Sequence, residues 1–206
     1  MHRHFPGWDP GFTPQDVAAL VSVTHGPVLL AGGTGLDDEL DPYRGPVLCE
    51  PDIVVGAADA ADVVAAVRFV VDFDLPLAVL SPGHEPAEPA KGGLVLTTGR
   101  LNRIHVDPRS RTAVVGAGAL WSDVVRRAAE ARLAPLVPPA EGTSVVGRTY
   151  GWSAGHVEAI EYVSPDGHLQ RVTPVSDRPR FARLCRAEPA DTALGVVTEM
   201  TFALFR

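Results

Sequence analysis

The chain has 206 residues, 46% of them hydrophobic and 21% charged, the balance of a globular protein rather than a disordered one. Its formal net charge of −7, with no run of Lys or Arg, argues against a nucleic-acid partner, which needs a concentrated basic face. Cys49 and Cys185 form no CxxC pattern, so neither a disulfide framework nor a thiolate metal site is expected. With no apolar run long enough to span a bilayer and no basic start leading into an apolar stretch, a cytoplasmic protein without a membrane partner is expected.

The first predicted element is a short helix from Phe12 to Leu20, with Thr13 as its N-cap and Pro14 at its first position. Val28-Leu29-Leu30 is a short apolar run that ends at Ala31-Gly32-Gly33-Thr34-Gly35. Residues Asp37 to Pro46 are polar and turn-rich and read as a loop. Ile53-Val54-Val55 is a buried strand, Asp59 or Ala60 starts a helix that runs to about Phe73, and Leu77 to Leu80 is a second strand. Strand, helix and strand at this length make a parallel βαβ crossover.

Further strands are expected at Leu94–Thr98, Ile104–Val106 and Thr112–Val115, the last two joined by the turn Asp107-Pro108-Arg109-Ser110. Trp121 to Ala131 is a helix. Leu133 to Gly147 is Pro-rich and irregular. A second hairpin alternates over His156–Val163 and His168–Val172, and Val196 to Phe202 is the last strand. The fold class is therefore α+β, a parallel βαβ start followed by hairpins and a mixed sheet.

Several residues invite a chemical reading. Ser81-Pro82-Gly83-His84 directly follows a strand of the βαβ unit, at the end where ligands gather, and a turn rich in backbone N–H groups can cradle a phosphate there. His84 is a ligand, base or attachment point, or a surface histidine of a Pro-rich loop; residue type alone favours the last. Gly116-Ala117-Gly118 lies between a strand and a helix, but the third glycine of a dinucleotide fingerprint would fall at Trp121. No Ser-His-Asp arrangement, no metal-ligand spacing around His2, His4 or His25, and no catalytic residue can be assigned. His105 and His156 read as structural.

Taken in order, these segments resemble the PCMH-type FAD-binding domain of the vanillyl-alcohol-oxidase superfamily, which includes the berberine-bridge-enzyme-like oxidases. The matching pieces are Pro51 to Val63, Asp74 to Val79, Pro82-Gly83-His84, Gly93 to Leu101, Val106-Asp107-Pro108 and Val115 to Gly118 with Trp121 and Val124. Beyond these come Ser144 to Gly147, Tyr150-Gly151, Asp166-Gly167 and Gly195 to Thr198. The resemblance implies two α/β lobes holding FAD between them. Residues 1–47 would be an N-terminal extension with a short helix and 48–206 the domain, with lobe one at about 48–105 and lobe two at about 106–206. It further implies that Ser81 and Gly83 contact the diphosphate and that His84 links to the flavin. Gly118, Ser144, Val145 and Gly147 would line the cofactor channel, and Val197 would pack near the adenosine.

The departures from the family pattern carry their own expectation. Pro82 removes an N–H donor, and Glu85 places a carboxylate beside the diphosphate loop. Gly147 runs straight into Arg148-Thr149-Tyr150-Gly151, so a glycine-rich segment is missing. Gly155 stands where the family has an aspartate, and Ala187 to Ala193 replaces a second glycine-rich stretch. The sequence stops at Arg206 without the family's C-terminal substrate domain. The expected function is an FAD-linked oxidoreductase-like domain with a weakened grip on flavin. The alternatives are a flavin-free descendant binding a small molecule for a non-redox step of secondary metabolism, in a pocket lined by Trp121, Tyr150 and Trp152, and a non-catalytic partner of a full-length flavoenzyme. A homodimer is a further expectation. Composition suggests a bacterial source.

Overall fold

The computed structural model describes residues 11–43, 50–82, 91–136, 153–185 and 192–206. They form two lobes, each built on one sheet. The first sheet has four strands, β1 (Val28–Leu30), β2 (Ile53–Gly56), β3 (Leu77–Leu80) and β4 (Leu94–Thr97), in the order β1-β2-β4-β3. β2, β4 and β3 run parallel, and β1 is antiparallel to β2. The two strands of the βαβ unit are parallel as expected, but they are not neighbours. β4 takes the central place between them because it is buried at every position, whereas β3 is fully buried only at Leu80.

Helix α1 spans Pro14–Val23 and carries a capping box in which Thr13 and Asp16 satisfy each other's backbone N–H groups. Phe12, just before it, meets the rings of Phe69 and Phe73 edge-on at 5.3 and 6.1 Å. The stretch read from sequence as an extension thus contributes an edge strand and a packed helix to the first lobe. The stretch expected to be a loop instead forms helix α2 (Leu36–Leu40) and a 3₁₀ turn at Asp41–Tyr43. Leu36, Leu40 and Tyr43 pack on Val54, Leu80 and Val95, on the sheet face opposite α3 (Ala60–Asp72). Four acidic residues and flanking Gly and Pro hid the Leu36–Leu40 pair, one helical turn apart.

The second sheet has five strands, β5 (Ile104–Asp107), β6 (Thr112–Gly116), β7 (Val157–Val163), β8 (Leu169–Val172) and β9 (Val196–Ala203), in the order β5-β6-β9-β7-β8. All its pairings are antiparallel, so the mixed sheet is the first one. All of β5 belongs to this sheet, which moves the lobe boundary to the connection between β4 and β5. Helices α4 (Trp121–Glu130) and α5 (Arg178–Leu184) cover one face. α5 was not foreseen: Pro179 and three arginines obscure its two buried contacts, Phe181 and Leu184.

α3 lies between the two sheets. Its Val63, Ala66 and Val67 share a core with Ile53, Val55, Leu94 and Leu96 of the first sheet and with Val163 and Val196 of the second. Arg68 Nε also donates to the Gly167 carbonyl at 3.1 Å.

Candidate functional site

The parallel strands β2, β4 and β3 end side by side at Gly56, Thr97 and Leu80. Carboxyl ends of parallel strands are where such sheets hold ligands. Here Ala57 donates its N–H to the Thr97 carbonyl and Thr98 donates to Leu80, each at 3.0 Å, so the three strand ends form one rim. Ser81 sits on that rim, half-buried, and accepts a hydrogen bond from the Thr98 hydroxyl at 3.0 Å. Of the residues singled out by sequence, Gly83, His84, Ser144, Val145 and Gly147 lie outside the described residues, as do Tyr150 and Trp152.

The loop Gly116-Ala117-Gly118 faces this rim from the second lobe. Gly116, Ala117 and Gly118 donate their N–H groups to Arg103, Thr198 and Leu101, each at 2.9 Å. A Cβ on Gly118 would lie 1.8 Å from the Thr98 carbonyl oxygen, and one on Gly116 2.1 Å from that of Leu101. These glycines let two backbones cross where the lobes meet. That explains the GxG pattern without a phosphate, since all three amides have protein acceptors. Gly118 is buried at the crossing.

A polar cluster closes the β2 side of the rim. Glu39 of α2, only 9% exposed, accepts from both terminal nitrogens of Arg100 at 2.7 Å and from the Thr97 hydroxyl. Tyr43 Oη accepts the Gly99 N–H at 2.8 Å. Burial works against the charged form of Glu39, but the Arg100 guanidinium and the Thr97 hydroxyl outweigh it, and the carboxyl titrates below its ordinary value. Hydrogen bonding to Glu39 raises Arg100 in turn, and burial raises the Tyr43 phenol. Sequence reading missed this cluster because it took residues 37–46 for a loop. A buried-helix reading of Leu36 and Leu40 would have placed Glu39 next to the sheet.

A second cluster joins His25 to the start of α3. Asp62, fully buried, accepts three backbone N–H groups, from His25 (2.7 Å), Gly26 (2.9 Å) and Ala58 (2.8 Å), while His25 Nδ1 lies 2.7 Å from Asp59. His25, Asp59 and Asp62 converge closely enough to be considered as metal ligands. Both Asp62 oxygens are already used by amides, and Asp59 caps α3 through Ala61 and Asp62, so the group is a helix-start lock.

The remaining candidates fall into cores. Val197 packs in the cluster beneath α5 with Ile160, Tyr162, Val172, Phe181 and Leu184. The Trp121 ring lies 5.3 Å from Phe202 in the α4 core, with its buried Nε1 unpartnered, rather than lining a pocket at the rim. His156 packs edge-on to Phe205 at 4.9 Å, and its strand begins only at Val157. His105 is exposed on β5 and, with Arg127 and Glu130, lines a shallow cleft of about 400 Å³. On the β7–β9 pair, burial and the neighbouring Glu161 raise Glu199, its cross-strand partner.

The rim of parallel strand ends meets the Gly116–Gly118 loop backbone to backbone, at the end of the sheet where such folds gather ligands. The amides of Ala57, Thr98, Gly99, Gly116, Ala117 and Gly118 all bond within the protein. The Ser81 hydroxyl is a further donor on the rim, and Pro82 after it has no N–H.

Comparison with known proteins agrees with this geometry. The FAD binding domain family matches residues 51–173, more than half of the chain. The chain is 28% identical over 194 residues to (R)-6-hydroxynicotine oxidase of Paenarthrobacter nicotinovorans, covering 88% of this chain and 42% of that protein. The crystal structure of 6-hydroxy-D-nicotine oxidase from Arthrobacter nicotinovorans superposes with a TM-score of 0.78 at 26% identity, covering 89% of this chain and 43% of that one. A variant of BBE-like 1 from Physcomitrella patens shares the fold, with a TM-score of 0.75 at 16% identity over 92% of this chain and 44% of its own. The chain spans less than half the length of these relatives.

Proposed function

The chain belongs to the FAD binding domain family, and from that premise we propose that it holds FAD, with a weakened grip, between its two lobes as the flavin-binding part of an FAD-linked oxidoreductase of the berberine-bridge-enzyme-like kind. The observation that supports this most is the juxtaposition of the β2, β4 and β3 carboxyl ends with the Gly116–Gly118 loop. Ser81, Gly83 and His84 would hold the diphosphate side of FAD, with His84 as the attachment residue for the flavin. Ser144, Val145 and Gly147 would line its channel. Bound FAD supplies a hydride acceptor for substrate oxidation. The chain's own part is to bind and orient the cofactor and to exclude water from it; no catalytic residue is assigned.

The weakened grip follows from composition. Pro82 contributes no amide, and Glu85 sets a negative charge two residues from Gly83. The amides of Ala57, Thr98, Gly99, Gly116, Ala117 and Gly118 already have protein acceptors.

The same internal saturation supports a second reading, a descendant that keeps the scaffold and takes a small molecule without a diphosphate. Titration with FAD, followed by flavin fluorescence and by thermal shift, separates the two. A saturable stabilisation supports the flavin reading. In protein that carries no flavin colour of its own, no shift at millimolar FAD sinks it and leaves the second.

A further inference from the structure

We propose that Glu39 and Tyr43 are positioning residues that place the Gly116–Gly118 loop at the lobe junction by fixing the connection from β4 to β5. The geometry stands apart from the flavin reading; only its consequence for FAD rests on that reading. The connection is gripped alternately from two sides. Segment 36–43 holds Thr97, Gly99 and Arg100: Glu39 takes the Thr97 hydroxyl and both terminal nitrogens of Arg100, and Tyr43 takes the Gly99 N–H. The residues between and beyond them face the second lobe. The Thr98 carbonyl abuts Gly118, the Leu101 carbonyl accepts the Gly118 N–H, and the Arg103 carbonyl accepts the Gly116 N–H.

One short backbone therefore transmits the place of α2 to the Gly116–Gly118 loop of the second lobe. The connection turns at Gly99-Arg100, closed by the Leu101 N–H on the Thr98 carbonyl at 2.8 Å, and such a turn has little freedom when its residues are also fixed from opposite sides. A buried carboxylate is costly unless its partners are well placed. Here both Glu39 oxygens meet donors of the connection itself. Arg100, with 45% of its side chain exposed, stays in contact with solvent. The brace thus acts on backbone geometry rather than on a ligand.

Amide hydrogen exchange on the full chain tests this, comparing wild type with Tyr43→Phe, which removes one oxygen, and Glu39→Gln, which keeps the shape. The expected result is faster exchange at Gly99 and also, by about tenfold, at Gly118 across the lobe junction, with the Phe181 amide of α5 unchanged. Pairing Glu39→Gln with Arg100→Gln replaces the ion pair by a neutral one and should return part of the Gly118 protection. FAD affinity, measured in parallel, should fall about tenfold in Tyr43→Phe. Faster exchange confined to Gly99, with Gly118 at its wild-type rate, overturns the proposal. Failure of the wild type to take up FAD overturns the flavin reading alone, because the Gly118 rates still decide the brace.

Discussion

The carbonyl oxygen of Thr98 occupies the position that a side chain on Gly118 would need, with only 1.8 Å between it and a Cβ built there. Both atoms belong to backbone, so neither can swing aside as a long side chain would. The contact joins the first lobe to the second at the edge of the crevice.

Gly118→Ala should therefore be among the most damaging small substitutions in the chain. It is expected to cost about 3 kcal/mol or more, or about 6–12 °C in melting temperature for a chain of this size. Chemical denaturation checks this. A cost below about 0.5 kcal/mol, the scale of an ordinary surface substitution, would mean that the two backbones part easily.

Asp62→Ala should be comparably costly. It would strand the N–H groups of His25, Gly26 and Ala58 at once. A buried donor left unmade costs about 1–3 kcal/mol, so a total of about 3 kcal/mol or more is expected. Asp62→Asn, which keeps one acceptor oxygen, should lose less. Equal stability of the three forms would show that water replaces the carboxylate freely.

Acid should weaken the fold partly through Glu39. Its carboxyl titrates lower in the folded chain than its ordinary 4.5, so the unfolded chain takes up that proton first. The stabilisation is complete above 4.5 and is lost as pH falls through the folded-state value. Asp16, Asp59, Asp107 and Asp166 are shifted the same way, whereas burial raises Asp52 and Glu199 and opposes the trend. Glu39→Gln should cost about 1.5–3 kcal/mol near neutral pH and flatten the acid limb of a stability–pH curve. An acid limb of unchanged slope in that variant refutes the assignment.

If flavin is attached through His84, protein precipitated with acid should stay yellow, and His84→Ala should release all colour to the supernatant. Reversible binding by the variant, weaker than wild type but measurable, would fit a lost tether with the crevice intact. Colour retained in the pellet of His84→Ala would place the linkage elsewhere.

Much of the fold is legible in the sequence because its signals are local. Ile53-Val54-Val55, the Asp59-capped helix and the Asp107–Ser110 turn each announce one element, and their order points to the family. Strand order is not local: β4 displaces β3 from the centre by burial on both faces, which shows only once the faces are known. Segment 36–43 is misread for a related reason. Its helix has five residues and its hydrophobic contacts come from the far side of a sheet, so neither periodicity nor propensity reveals it. The positions of Ser81, after β3, and of Gly116–Gly118, between a strand and a helix, are legible in the sequence. The cause of that motif, backbone meeting backbone, required the coordinates.

Because Val163 and Val196 of the second sheet share a core with Val63, Ala66 and Val67 of α3, the two halves have no independent hinge. Spreading them would bare that apolar surface to water. Heating should therefore melt both halves in one cooperative calorimetric step.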